Sequence, residues 1–233
     1  MPVFPIGLES LATRLAVHGL HLRGGLHPEP DDGVPVLSNG VAPRTLILIG
    51  NVGPSLWPVF SRSPEAKDGE PHPLDRWTRR VINRIAAEVG ARPLFPFGAP
   101  PYLPFQRWAM RAEPVAPSPL GILIHPDYGL WHAYRGALAF DERLPLPPRI
   151  DRPHPCDGCV DRPCLSACPV NAFTNRGYDV PACIRHIDAP AGSECMNAGC
   201  LARRACPIGA RHVYDTAQAA FHMRAFRDSN RVG

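Results

Sequence analysis

The stretch that decides the fold of the C-terminal part is Cys156-Asp-Gly-Cys159-Val-Asp-Arg-Pro-Cys164-Leu-Ser-Ala-Cys168-Pro169. Four more cysteines follow, at Cys183, Cys195, Cys200 and Cys206, and the last is again followed by a proline. All eight cysteines of the 233-residue chain lie in this region, and none precedes it. Close spacing with two Cys-Pro closures indicates a module whose thiolates hold iron–sulfur clusters.

The spacing predicts two [4Fe–4S] clusters with crossed ligands. In bacterial two-cluster ferredoxins, the fourth cysteine of a Cys-Pro run ligates the other cluster. Applied here, this rule assigns the first cluster to Cys156, Cys159, Cys164 and Cys206. It assigns the second cluster to Cys168, Cys183, Cys195 and Cys200. The assignment uses every cysteine and leaves none over, although the gaps are longer than in a plain ferredoxin run.

Two other uses of the cysteines stay open. Interleaved Cys₄ zinc sites would need the same thiolates, but a second Cys-x₂-Cys pair is missing and zinc does not require Cys-Pro closures. A disulfide framework would suit an exported protein. However, residues 1–10 show neither the basic nor the apolar region of a signal segment. We therefore expect a cytoplasmic, reducing location.

Composition limits the partners of the chain. Hydrophobic residues make up 45% of it, which is ordinary for a globular protein with a core. No apolar run approaches the ~20 residues that a membrane span needs. The net charge of +4 is mild and rests on arginine, since Lys67 is the only lysine. A nucleic-acid binder would show a concentrated basic stripe, so we expect neither a membrane nor a nucleic-acid partner.

The part upstream of the cysteines predicts an α+β fold. Helical spacing occurs at 8–18, 74–89 and 104–112, and strand-like runs occur at 20–23, 45–49 and 92–98. Two further runs, 121–126 and 132–140, predict a hairpin around a turn at 127–130. The Gly-rich segment 50–54 predicts a plain strand-to-helix turn, with phosphate binding as the alternative. Residues 141–154 are proline-rich and predict a linker.

The cysteine module resembles the cluster region of epoxyqueuosine reductases and of the related reductive dehalogenases. In the former, a separate cysteine lies between the Cys-Pro runs, in a stretch like Tyr178-Asp-Val-Pro-Ala-Cys183-Ile-Arg-His-Ile. Upstream, Arg107-Trp-Ala-Met-Arg-Ala-Glu113 and Ser118-Pro-Leu-Gly-Ile-Leu-Ile-His-Pro126 are similar to the end of the same family's cobalamin-binding domain. The stretch Ile124-His-Pro-Asp-Tyr-Gly-Leu-Trp-His-Ala-Tyr-Arg-Gly136 is also similar to cobalamin-processing proteins of the CblC type.

The resemblance implies two domains. Residues 1–145 would form a nitroreductase-like domain that holds cobalamin in its base-off state. Residues 146–233 would form a bacterial-ferredoxin-like domain with two [4Fe–4S] clusters and a C-terminal helix. The candidate contacts to a corrinoid, or to another flat cofactor, are Tyr128, Trp131, His132 and Arg135. The alternative is that Trp131 and Tyr134 are core residues and that His125 is a hydrogen-bonded turn residue.

Departures from the family pattern argue against epoxyqueuosine reduction. Such an enzyme carries a catalytic acid in an Asp-Thr-Gly-Pro-like segment, where this chain reads Gly98-Ala-Pro-Pro-Tyr-Leu-Pro-Phe-Gln-Arg107. The chain also ends soon after the cysteines, without the helical-repeat tail that such an enzyme uses on tRNA. The Asp-x-His-x-x-Gly motif of His-on cobalamin enzymes is absent too, which permits base-off binding.

The sequence therefore predicts an iron–sulfur oxidoreductase without an assigned catalytic residue. It would pass low-potential electrons from an external donor of the flavodoxin or ferredoxin type, through two clusters, to a corrinoid or substrate in the N-terminal domain. The leading specific reaction is reduction of cobalamin or removal of its upper ligand. The alternative is a ferredoxin-like carrier whose N-terminal domain only docks a redox partner.

Overall fold

The computed structural model describes residues 7–231 and divides the chain into two compact units. The upstream unit comprises Met1–Pro114 and Ala133–Asp151, and the cysteine unit comprises Val115–His132 and Arg152–Gly233. The boundaries of this division differ at 115–132 and at 146–151 from those of the predicted domains, 1–145 and 146–233. Residues 1–6, which make up most of the N-terminal segment without features of an export signal, lie outside the described residues, as do residues 232–233.

Helices and strands both build the upstream unit, so the predicted mixed class is confirmed. Its helices are α1 (Leu8–Ala16), α2 (Trp57–Phe60), α3 (Pro73–Val89) and α4 (Phe105–Ala112). Its strands are β1 (His21–Leu26), β2 (Thr45–Val52), β3 (Arg92–Leu94) and β6 (His132–Phe140), in the order β1-β2-β6-β3. The nitroreductase-like assignment of this unit stays a prediction.

Local sequence explains most of these elements. The apolar run Leu46–Ile49 is buried because β2 is an inner strand of the sheet. Helix α3 buries Trp77 and the other apolar residues on its periodic face, and it ends at Gly90, whose φ of 68° suits glycine. Strand β3 contains Pro93, which cannot donate to a ladder, and it accordingly lies at the sheet edge.

Gly50 lies within β2, although the sequence predicted a turn from residue 50 onward. A Cβ atom at this position would lie 2.0 Å from the carbonyl oxygen of Ala133 in β6. The glycine is therefore required by the close approach of two neighbouring strands. This packing requirement explains Gly50 without a bound phosphate.

A buried ion pair ties β1 to the end of α4. Arg23 is 1% exposed, and its guanidinium donates two hydrogen bonds to Glu113, at 2.9 and 2.8 Å. It also donates to the carbonyl of Asn51 at 3.1 Å, and the Tyr134 hydroxyl donates to Glu113 at 2.6 Å. Burial and the neighbouring carboxylate raise the pKa of Tyr134, so the phenol stays protonated. These hydrogen bonds compensate the desolvation of both charges.

The predicted hairpin of 121–126 with 132–140 is wrong. Strand β4 (Ala116–Pro117) pairs instead with β5 (Leu123–Ile124), and β6 joins the four-stranded sheet. The turn itself exists, since His125 and Gly129 form a bridge. Residues 136–140 are all buried, which is typical of an inner strand covered on both faces and not of a hairpin strand.

The cysteine unit consists of short helices, two small sheets and one longer helix. Its helices are α5 (Pro163–Ser166), α6 (Val180–Asp188), α7 (Ser193–Ala198), α8 (Leu201–Arg204) and α9 (Thr216–Asn230). Besides β4 and β5 it contains the paired strands β7 (Phe173–Thr174) and β8 (Gly177–Tyr178). The carboxylates of Asp179 and Asp215 accept from backbone N–H groups and cap α6 and α9. Within residues 7–231, no helix has the length and apolar character for crossing a membrane.

Candidate functional site

The eight cysteines are all free thiols. We describe them as two sets of four, because the effects of the thiols on one another's pKa and one shared cavity divide them in this way. The first set is Cys156, Cys159, Cys164 and Cys206, and the second set is Cys168, Cys183, Cys195 and Cys200. Burial and then the nearby thiols of the first set raise the pKa of Cys156, and the same holds for Cys206. Burial and neighbouring thiols of the second set raise the pKa of Cys183 and of Cys200. Among the described residues, these thiol–thiol effects stay within each set.

The first set is assembled by two short helices that pack together. Cys164 lies in the first turn of α5, and Cys206 follows the end of α8. Backbone hydrogen bonds, at Leu165 for Cys164 and at Ile208 for Cys206, act against the raised pKa of each thiol. Because N–H donors favour the charged form of sulfur, they offset part of the effect of burial on both thiols.

The second set lines one cavity in the cysteine unit. Helix α6 brings Cys183, helix α7 brings Cys195, and Cys200 precedes α8. The side chains that complete the wall are mostly apolar, namely Pro169, Val170, Phe173, His186, Ile187, Leu201, Ala202 and Met223. An apolar shell of this kind restricts the access of water to a bound group and so affects its potential.

Hydrogen-bond donors surround the sulfurs of the second set. The backbone N–H of Ala172 donates to Cys168 Sγ at 3.3 Å. The Tyr178 hydroxyl donates to Cys183, and this hydrogen bond lowers the pKa of that thiol against the larger effect of burial. The ring of Tyr178 is held by stacking on Phe173, with the ring centres 4.6 Å apart.

Two observations test whether a metal group fits these sets. The thiols of the second set share their cavity with a buried His186 Nε2 that has no hydrogen-bond partner among the described residues. Four soft sulfur ligands in a largely apolar cavity suit a thiolate-bound iron–sulfur cluster. Within residues 7–231, no three His, Cys, Asp or Glu side chains are grouped to hold a single metal ion.

The segment 115–132 packs onto the cysteines, which the sequence did not predict. Its residues Leu120, Ile124 and Leu130 form one apolar cluster with Cys164, Cys168 and Cys206. Arg203 donates to the Leu130 carbonyl at 3.2 Å from Nε and 2.5 Å from Nη2. The segment therefore forms part of the wall around the thiols.

Three of the four predicted corrinoid contacts lie in the cysteine unit. Trp131 is 2% exposed and packs edge-on against Tyr214, with the ring centres 5.4 Å apart. Tyr128 stacks on His125 at 4.2 Å, and His132 lies 3.1 Å from the Leu123 carbonyl through Nε2. Trp131 is therefore buried beside Tyr214 in the cysteine unit.

The fourth predicted contact, Arg135, lies in the upstream unit. Its guanidinium donates to Asp75 at 2.5 Å and to the hydroxyl of Thr78. His125 is a turn residue, since its Nδ1 accepts from the backbone N–H groups of Asp127 and Tyr128. A cofactor-binding role for the four residues stays a prediction.

Three residues close to the thiols were not predicted as site residues from the sequence: Tyr178, His186 and Arg203. Tyr178 and His186 flank Cys183 in the stretch that carries the family resemblance. The contact of Tyr178 with Cys183, and the position of His186 in the cavity of the second set, depend on how β8 and α6 fold together. For Arg203, the one feature of the sequence that could have indicated a role near the thiols is its position between Cys200 and Cys206.

Comparisons with known proteins returned structural matches only. No protein-family model matches the chain, and no curated protein matches it. A solved selenomethionine-labelled epoxyqueuosine reductase matches 76% of this chain and 52% of its own, with 15% identity and a TM-score of 0.47. The epoxyqueuosine reductase of Streptococcus thermophilus matches 73% of this chain and 50% of its own, with 17% identity and a TM-score of 0.45. The chain spans about half of the length of these enzymes.

Proposed function

We propose that the chain is an iron–sulfur oxidoreductase that carries one [4Fe–4S] cluster on each set of cysteines. The observation that carries the proposal is the cavity lined by the four free thiols of the second set, while neighbouring thiols of the first set raise the pKa of Cys156 and Cys206. Each cube of this type is held by four thiolates. When bound, the clusters would accept and pass on single electrons at low potential.

The residues of the chain have three tasks in this function. The thiolates hold the clusters, and N–H and O–H donors such as Ala172 and Tyr178 stabilise negative charge on sulfur. The apolar residues around the second set restrict water. The eight free thiols would stay reduced in the cytoplasm, where we place the protein.

We assign the arrival of electrons to the first set and to a donor of the flavodoxin or ferredoxin type. Cys159 borders an open groove that Val160, Pro163 and Ile208 also line. Val160 is 91% exposed beside this thiol, so a docked donor would come close to the first cluster.

The substitution Val160→Asp tests this assignment, because a docked partner would have to desolvate the new carboxylate. Reduction of the clusters by a reduced flavodoxin should slow about tenfold, which corresponds to roughly 1.4 kcal/mol. Reduction by dithionite should be unchanged. Val17→Asp, at another exposed valine, is the matched control. Equal rates for Val160→Asp and the wild-type protein would contradict the assignment.

We propose a corrinoid as the electron acceptor. The reaction would be reduction of the corrinoid or removal of its upper ligand. This part is supported by the resemblance of residues 104–136 to cobalamin-binding domains, with Tyr128, Trp131, His132 and Arg135 as the proposed contacts. The test is anaerobic reconstitution with hydroxocobalamin, followed by desalting and dithionite reduction. We expect a retained red corrinoid whose absorption shifts on reduction. Loss of the corrinoid with intact cluster absorption would overturn the acceptor and favour an electron carrier.

A further inference from the structure

His186 contributes a buried polar atom that the proposed function does not yet use; among the described residues, Trp131 and Gln218 contribute others. It lies in α6 and lines the same cavity as the four thiols of the second set. Its Nε2 is buried and has no hydrogen-bond partner among the described residues. Buried donors in native proteins are nearly always paired, so an unpaired one requires an explanation.

The position of His186 on α6 directs it toward sulfur. Cys183 and His186 are three residues apart, and residues at this spacing share a helix face. The other side chains that line the cavity are apolar apart from the thiols, with Ile187 and Phe173 among them. Sulfur is therefore the acceptor that the cavity side chains offer to Nε2.

We propose that the His186 Nε2–H donates a hydrogen bond to a sulfur of the second cluster and raises the reduction potential of that cluster. This inference rests on the proposed function, since it requires a cluster on the second set. Reduction adds one negative charge to the cluster, and an N–H donor stabilises that charge more in the reduced state. His186 would thus adjust the reduction potential of the second cluster. This role is independent of the identity of the substrate.

Tyr178 provides an internal comparison, because its hydroxyl already donates to Cys183. Tyr178→Phe removes this O–H group and keeps the ring that stacks on Phe173. His186→Leu removes the proposed N–H donor, and His186→Gln keeps a side-chain N–H. His18→Leu, in the upstream unit, controls for the loss of a histidine.

The experiment combines potentiometric EPR titration with pulsed ENDOR on anaerobically prepared full-length protein. We expect His186→Leu and Tyr178→Phe to lower the midpoint potential of one cluster, while His186→Gln and His18→Leu leave it near the wild-type value. In deuterated buffer, an exchangeable proton coupling of the wild-type cluster should disappear in His186→Leu and persist in His186→Gln. A purely structural role would not move this coupling selectively.

The outcomes separate the inference from the proposed function. If the midpoint potential shifts in Tyr178→Phe, while His186→Leu keeps the wild-type potential and proton coupling, the role of His186 is overturned. The proposal of two clusters would be unaffected by this result. Absence of iron–sulfur signals from the wild-type protein would overturn the proposed function itself. If His186→Leu binds no cluster, wild-type protein labelled with ¹⁵N-histidine gives the answer, because a missing nitrogen coupling would contradict the hydrogen bond.

Discussion

The guanidinium of Arg203 lies 4.6 Å from the ring centre of Trp131 and clamps this indole within the cysteine unit. The same guanidinium lies 4.6 Å from the ring centre of Tyr214 and donates to the Leu130 carbonyl. Arg203 lies in α8, between Cys200 and Cys206, and Trp131 lies in the segment 115–132. The pair therefore fastens that segment to the helices that present the thiols.

Replacing Arg203 by alanine should destabilise the cysteine unit. The change removes two cation–π contacts and charge-assisted hydrogen bonds to a carbonyl, for a loss of about 2–3 kcal/mol. Denaturant unfolding followed by tryptophan fluorescence measures the effect. Arg204→Ala is the control, since Arg204 makes a surface ion pair with Glu194 that contributes at most about 1 kcal/mol. Similar losses in both variants would contradict the clamp.

Substituting Gly129 should also weaken the attachment of this segment. A Cβ atom at Gly129, whose φ is 57°, would lie 1.8 Å from the carbonyl oxygen of Ile208, which follows Cys206 by two residues. Gly129→Ala should therefore lower the unfolding midpoint and the iron content of purified protein. Gly7→Ala, where nothing lies within 4 Å, should have little effect. Normal iron content and stability in Gly129→Ala would show that the backbone contact is dispensable.

The ion pair of Glu65 with Arg80 predicts a pH-dependent contribution to stability. Two hydrogen bonds, at 2.5 and 3.0 Å, join the pair, and they lower the pKa of Glu65 from 4.5 to about 2. Because the folded-state pKa is the lower one, the stabilisation is complete above pH 4.5 and is lost as the pH falls toward 2.

The variant Glu65→Gln measures this contribution. It should be less stable than the wild-type protein at pH 7, and the difference should shrink steadily between pH 5 and pH 3, as read from urea midpoints. Glu88→Gln, which affects the exposed ion pairs with Arg14 and Arg84, should cost less at neutral pH. A Glu65→Gln deficit that stays constant or grows toward acid pH is incompatible with the lowered pKa.

Local patterns in the sequence were sufficient for much of the upstream unit. The spacing of apolar residues predicted α3 to within one residue, and the run Leu46–Ile49 predicted β2. The strand β6 could not be placed in the same way. Its neighbours β2 and β3 are distant in sequence, and its apolar residues fit a hairpin strand as well as an inner strand.

For the site, spacing alone suggested which cysteines belong together, while the groups around them required the fold. The crossed assignment of Cys168 and Cys206 follows from spacing, and ligation of a cluster by either set stays a prediction. By contrast, no periodicity indicates that Gly129 meets Ile208 or that His186 shares a cavity with the thiols. Such contacts arise from tertiary packing and leave no local signal.

The most direct test of the central claim is the iron and sulfide content of paired cysteine variants, prepared anaerobically. The wild-type protein should contain about eight irons per chain, as two [4Fe–4S] clusters require. Cys164→Ala with Cys206→Ala removes two ligands of the first set and should leave about four irons. Cys164→Ala with Cys168→Ala damages both sets and should leave almost none. The reverse pattern would contradict the crossed sets, and zinc in place of iron would contradict the clusters altogether.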